Sequence, residues 1–90
     1  MTRVVVTATV KDAEKWEEGF RTHADLFKTQ SIKKMRFGIN GNEVALLSTV
    51  RDMDTYYKVM DSDDTRKAME HDGVIRETVK IFVIDKKLKL

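Results

Sequence analysis

The sequence predicts an α+β fold: a four-stranded antiparallel sheet with helices on one face, in the order β-α-β-β-α-β. Three observations carry this. Four segments alternate apolar and polar residues with a period of two, the mark of half-buried strands. Two intervening regions carry apolar residues at helical spacing, each behind an aspartate able to cap a helix. Asn40-Gly41-Asn42 separates two strand segments at tight-turn distance.

The first strand covers residues 3–10. It is rich in Val and Thr, with Val4, Val6, Ala8 and Val10 on one face and Val5, Thr7 and Thr9 on the other. Asp12 then caps a helix, and Glu14 in its first turn suits the positive helix end. The spacing predicts one helix over residues 13–28, because Trp16, Phe20, His23 and Phe27 recur at intervals of four, three and four. A second strand over 32–39 alternates Met35, Phe37 and Ile39 with Lys34, Arg36 and Gly38. Asn-Gly accepts the positive φ of a hairpin turn, so the third strand, 43–50, pairs antiparallel with the second.

Asp52 caps the next helical region, whose apolar edge is Tyr56, Val59 and Met60. A break is expected near Asp61. Ser62 restarts a helix with Asp63 and Asp64 in its first turn, and Gly73 suits the residue just past its end. The last strand spans 74–84, with Val79, Ile81 and Val83 facing one way and Phe82 and Ile84 the other. Two βαβ units joined by a hairpin make the ferredoxin-like motif. An internal echo agrees. Val10-Lys11-Asp12-Ala13-Glu14-Lys15-Trp16 and Val50-Arg51-Asp52-Met53-Asp54-Thr55-Tyr56 run in step as apolar, basic, Asp, apolar, acidic, polar, aromatic.

The chain has 90 residues, which is one domain. So short a chain buries only about 60–65% of its unfolded surface, and its core is thin. With no cysteine, disulfides and thiolate metal sites are excluded. Self-association is then the expected further source of stability. The net charge of +2, from 17 basic and 15 acidic residues, is near balance and excludes a nucleic-acid footprint. Lys86-Lys87-Leu88-Lys89 reads as a solvated tail. No signal core, lipidation motif or long apolar stretch is present, so no membrane contact and a cytoplasmic location are expected.

In its Val-rich first strand, its helix around Trp16 and Phe20, its hairpin at Asn40-Gly41 and the stretch from Tyr56 through Ser62-Asp63 to Met69-Glu70-His71-Asp72-Gly73-Val74, the chain resembles the dimeric α+β barrel superfamily. That superfamily includes antibiotic-biosynthesis monooxygenase-type and stress-responsive barrel proteins. The resemblance is one of layout and spans nearly the whole chain. It implies that two chains press their open sheet faces into a barrel. Each chain then keeps a cleft between helices and sheet for a small, often apolar or aromatic molecule. The activities it implies range from metal-free oxygenation through cyclisation, decarboxylation and dehalogenation to haem breakdown, and the fold does not choose among them. The strand pattern agrees with a dimer on its own account. Val5, Leu47 and Phe82 interrupt the polar set on the second sheet face, and a sheet apolar on both faces wants a second cover.

Candidate chemistry centres on His23, in an otherwise apolar stripe. A histidine in a cleft can act as general acid or base near neutral pH or pair with an acidic ligand group; the plainer reading is a core or rim histidine satisfied by a backbone carbonyl or water. His71 lies at a helix end whose negative dipole favours it. No sequence spacing pairs His23 with His71 as metal ligands, and no carboxylate is evidently placed with them, so neither a metal nor a cofactor is expected. Trp16, Phe20 and Phe27 are core, cleft wall or both. Tyr56 and Tyr57 point about 100° apart on a helix, so one anchors the core and the other reaches solvent or the cleft rim. Arg36 can hold a carboxylate in two bonds or form a surface ion pair. No dinucleotide, P-loop, nucleophile-elbow or zinc-protease motif occurs.

The combined expectation is a homodimer binding a small, largely apolar molecule of fatty- or aromatic-acid type in a cleft lined by Trp16, Phe20, His23 and Phe27 over Val4 and Val6. His23, assisted by Tyr57 or Arg36, meets the polar end. A cofactor-free monooxygenase, isomerase or cyclase would use His23 as proton carrier. A structural or regulatory dimer would have no pocket.

Overall fold

The computed structural model describes residues 1–90. Its elements are β1 (Thr2–Val10), α1 (Ala13–Phe20), α2 (Ala24–Thr29), β2 (Ile32–Asn40), β3 (Glu43–Val50), α3 (Met53–Met60), α4 (Asp63–His71) and β4 (Val74–Ile84). The strands form one antiparallel sheet in the order β2-β3-β1-β4, so β1, the strand with the most buried residues, is central. This is the ferredoxin-like βαββαβ arrangement.

Register explains how the two sheet faces differ. Phe37, Leu46, Val6 and Ile81 lie opposite one another across the four strands and so share a face. That face is covered by the helices: Trp16 and Phe20 of α1 pack with Ala8, Val10 and Val44, while Tyr56 of α3 packs with Val4, Val6 and Val50. One residue along, Arg36, Leu47, Val5 and Phe82 form the matching row on the uncovered face. Here Leu47 and Phe82 are 42% and 48% exposed.

The paired aspartates do what their spacing predicts. Asp12 Oδ1 accepts from the backbone N–H groups of Glu14 and Lys15 at 3.0 and 3.2 Å. Asp52 Oδ1 accepts from those of Asp54 and Thr55 at 3.0 and 3.4 Å. Four residues after each cap stands a buried aromatic, Trp16 and Tyr56. The sequence echo is thus a repeated capped-helix anchor. In the hairpin, Gly41 alone takes positive φ, at +62°, while Asn42 stays negative, the pattern of a type II′ turn.

The first helix departs from expectation. The single helix foreseen over 13–28 is broken into α1 and α2. Thr22 causes the break: its hydroxyl donates to Gly19 O at 2.6 Å and its N–H bonds the same carbonyl at 3.0 Å, tightening the last turn of α1. His23 then sits at the N-cap of α2 with φ −99° and ψ 24° rather than within a helical stripe. Sequence periodicity survives because α2 resumes on the same side of the sheet.

Candidate functional site

The four helices and the sheet enclose an apolar cavity of about 80 Å³. Val6, Ala8, Val44 and Leu46 form its floor. Trp16 and Phe20 of α1, Leu26 and Phe27 of α2, and Tyr56, Met60, Ala68 and Met69 of α3 and α4 form its walls. Aromatic contacts stiffen one side: Trp16 stacks on Phe20 at 4.6 Å, and Phe20 meets Phe27 at 4.8 Å and Phe37 at 5.1 Å.

Very few polar groups reach this cavity, and those on α2 are tied to α4. At one end of α2, Gln30 Nε2 donates to Thr65 Oγ1 at 3.2 Å, and that hydroxyl donates to Val59 O at 2.6 Å. At the other end, His23 Nε2 lies 3.0 Å from Asp72 Oδ2. Between these two clasps α2 has no fully buried residue, so the polar bonds hold a helix that packs only lightly.

Asp72 is the unexpected member. Its side chain is 4% exposed, and its other oxygen, Oδ1, lies 3.1 Å from His71 Nδ1. A carboxylate only accepts, so the proton stands on Nε2 of His23 and on Nδ1 of His71. Nδ1 of His23 has no hydrogen-bond partner in the chain, and in the neutral form of the ring it carries the free lone pair. A histidine aligned by a buried carboxylate, with its second nitrogen unprotonated, is the arrangement of an oriented proton acceptor. The fold makes room for the carboxylate at Gly19, where a Cβ would stand 2.0 Å from Asp72 Oδ1.

The structure brings together some of the candidate residues and separates others. Trp16, Phe20, His23 and Phe27 all line the cavity. Arg36 does not: strand parity puts it on the uncovered sheet face, opposite Leu47, and away from the helix-covered face that Met35 and Phe37 share. Tyr57 is 47% exposed and points outward, whereas Tyr56 is 1% exposed and forms part of the cavity wall. Burial, and secondarily its neighbour Tyr57, pushes the Tyr56 hydroxyl up to about 12. Val4 lies deeper in the core, and Val6 takes the floor position. The sequence reading also placed no carboxylate between the two histidines; the fold supplies Asp72.

Asp72, Gln30, Thr65 and Gly19 were not singled out from sequence. Asp72 did carry a signal. An acidic residue at the C-cap of a helix opposes the negative end of the helix dipole, and such a misfit asks for a partner or a task.

No family model matches the sequence, and no curated protein does. Solved structures do match in fold. A Bordetella bronchiseptica protein ascribed to the antibiotic biosynthesis monooxygenases superposes with a TM-score of 0.73 at 12% identity, covering 97% of each chain. SnoaB, a cofactor-independent oxygenase from Streptomyces nogalater, gives 0.71 at 14% identity, covering 99% of this chain and 95% of its own. An Arabidopsis thaliana protein gives 0.60 at 19% identity, covering 100% and 97%. The fold is therefore that of the antibiotic biosynthesis monooxygenase-type structures, as the resemblance in sequence implied.

Proposed function

We propose that the protein is a cofactor-free proton-transfer enzyme acting on a small, largely apolar molecule with an acidic hydroxyl, carboxyl or activated C–H group. The observation that carries this reading is the His23–Asp72 pair at the wall of an otherwise apolar cavity. The reacting group of the ligand enters toward Nδ1 of His23, which takes the proton. Asp72 stabilises the imidazolium that forms. An apolar site strengthens that electrostatic partnership by excluding water. The carbanion or phenolate left behind is what a cofactor-independent oxygenation, cyclisation or isomerisation would start from. The likeness to SnoaB favours oxygenation among these.

Cavity size bears on how the ligand enters. A cavity of about 150 Å³ holds one benzene ring, so this cavity, at about 80 Å³, holds less than that as it stands. An aromatic or fatty ligand enters as α2 shifts outward on its two clasps, carrying Leu26 and Phe27 with it. The protein acts as a homodimer whose interface is the uncovered sheet face, where the Leu47–Val5–Phe82 row presents apolar side chains to solvent.

Native mass spectrometry of freshly purified protein, beside a denaturing run, tests assembly and ligand together. A dimer releasing a small component on denaturation supports the reading, and its mass supplies the substrate class. His23→Ala then separates enzyme from binder: turnover of that compound should fall by about 10²–10⁴-fold, the usual worth of a positioned base, while binding persists. Unchanged turnover in His23→Ala would end the proton-transfer proposal.

A further inference from the structure

We infer that His23, Asp72 and His71 form a binding site for one divalent transition-metal ion, with zinc the best-suited probe. These three side chains come from the α1–α2 junction and the end of α4, and each offers a ligand atom within 4.8 Å of the others. Around an ion held at about 2.1 Å in tetrahedral geometry, ligand atoms stand roughly 3.4 Å apart. Each imidazole already stands near that distance from one oxygen of the same carboxylate, His23 Nε2 at 3.0 Å from Oδ2 and His71 Nδ1 at 3.1 Å from Oδ1.

Other features of the cluster fit an ion. The carboxylate is buried and sits in the notch at Gly19, so it cannot swing into solvent as an exposed acid would. His71 is 76% exposed on its side chain and closes onto an ion at little cost. The outer side of the cluster opens into a groove between α2 and α4 carrying Asp25, Asp64 and Lys67, which provides an entry path. Three protein ligands leave a fourth position for water on that side. Two imidazoles and one carboxylate select zinc, nickel or iron(II) over the hard ions magnesium and calcium, which demand oxygen. Binding displaces the ring proton that now faces each carboxylate oxygen, so it releases protons. An ion at Nε2 of His23 replaces the bond to Asp72 that orients the ring for proton acceptance at Nδ1, so the ion and that reaction compete.

The test is isothermal titration of zinc chloride into untagged, chelator-treated protein, in two buffers of different ionisation heat. The expected result is one saturable site per chain with proton release, and a melting temperature that rises with zinc. His71→Ala lies outside the cavity and should keep the metal-free melting temperature while weakening zinc by about tenfold or more. Magnesium chloride should give no saturable heat. Absence of a one-to-one isotherm, or wild-type affinity in His71→Ala, would overturn the site. Because the titration measures binding alone, its failure leaves the proton-transfer reading intact.

Discussion

Gly19→Ala sets two physical effects against each other. Inside an exposed helix the change stabilises by about 0.5–1 kcal/mol, because alanine loses less backbone entropy. At Gly19 the new Cβ would lie 2.0 Å from Asp72 Oδ1 and 2.9 Å from its Cγ. Ordinary contact begins near 3.4 Å, so the carboxylate must retreat by more than an ångström. An exposed carboxylate would do so freely. This one is 4% exposed and held at 3.0 Å by His23. A hydrogen bond to a charged group is worth about 1.5–3 kcal/mol. The His71 contact contributes less, because that ring is largely in water. Loss of the His23 bond against the helix gain leaves a net destabilisation of about 1–2 kcal/mol. For a domain of this size that lowers the melting temperature by roughly 5–15 °C. Thermal denaturation followed by circular dichroism measures it. The decisive control is the same change in an Asp72→Ala background, where the space is free: there Gly19→Ala should be neutral or stabilising. A higher melting temperature for Gly19→Ala alone would refute the claim that the glycine exists to seat the carboxylate.

Two further outcomes are expected. Phe82→Glu places a charge at the β4 end of the uncovered apolar row; since Phe82 is 48% exposed in the single chain, the fold should hold within about 0.5 kcal/mol while sedimentation shows the proposed dimer falling to monomer, and an unchanged mass would remove that face as the interface. For Tyr56, the hydroxyl ionises near 10 in the unfolded chain and near 12 in the folded one. Between those values the unfolded state has lost the proton and the folded state keeps it, so stability falls as pH rises from 10 to 12, by about 2–3 kcal/mol in all. Tyr56→Phe should abolish that loss in urea titrations at pH 9 and 12; a slope equal to wild type would place the burden on other groups.

The carboxylate and its glycine also show where local reasoning ends. The features legible along the chain are those governed by short-range physics: strand parity in Val4, Val6, Ala8 and Val10, aspartate caps two and three residues from the N–H groups they satisfy, and a two-residue turn at Gly41. Each of those signals is complete within a few residues. The placement of Arg36 was legible in the same way, since its alternation with Met35 and Phe37 already sends it to the other face. The break before His23 was harder to see, because Thr22 competes for the carbonyl of Gly19 through a hydroxyl that apolar periodicity does not register. The choice of Tyr56 over Tyr57 depends on how α3 is rolled against β1, which the helical period alone leaves open by one residue. The His23–Asp72 pair joins residues 49 apart in sequence. It forms only because the sheet order β2-β3-β1-β4 sets the helical halves side by side, closing α2 on the end of α4. Long-range juxtaposition of single polar groups leaves no periodic trace in a chain, so the site exists only once the sheet and helices have packed.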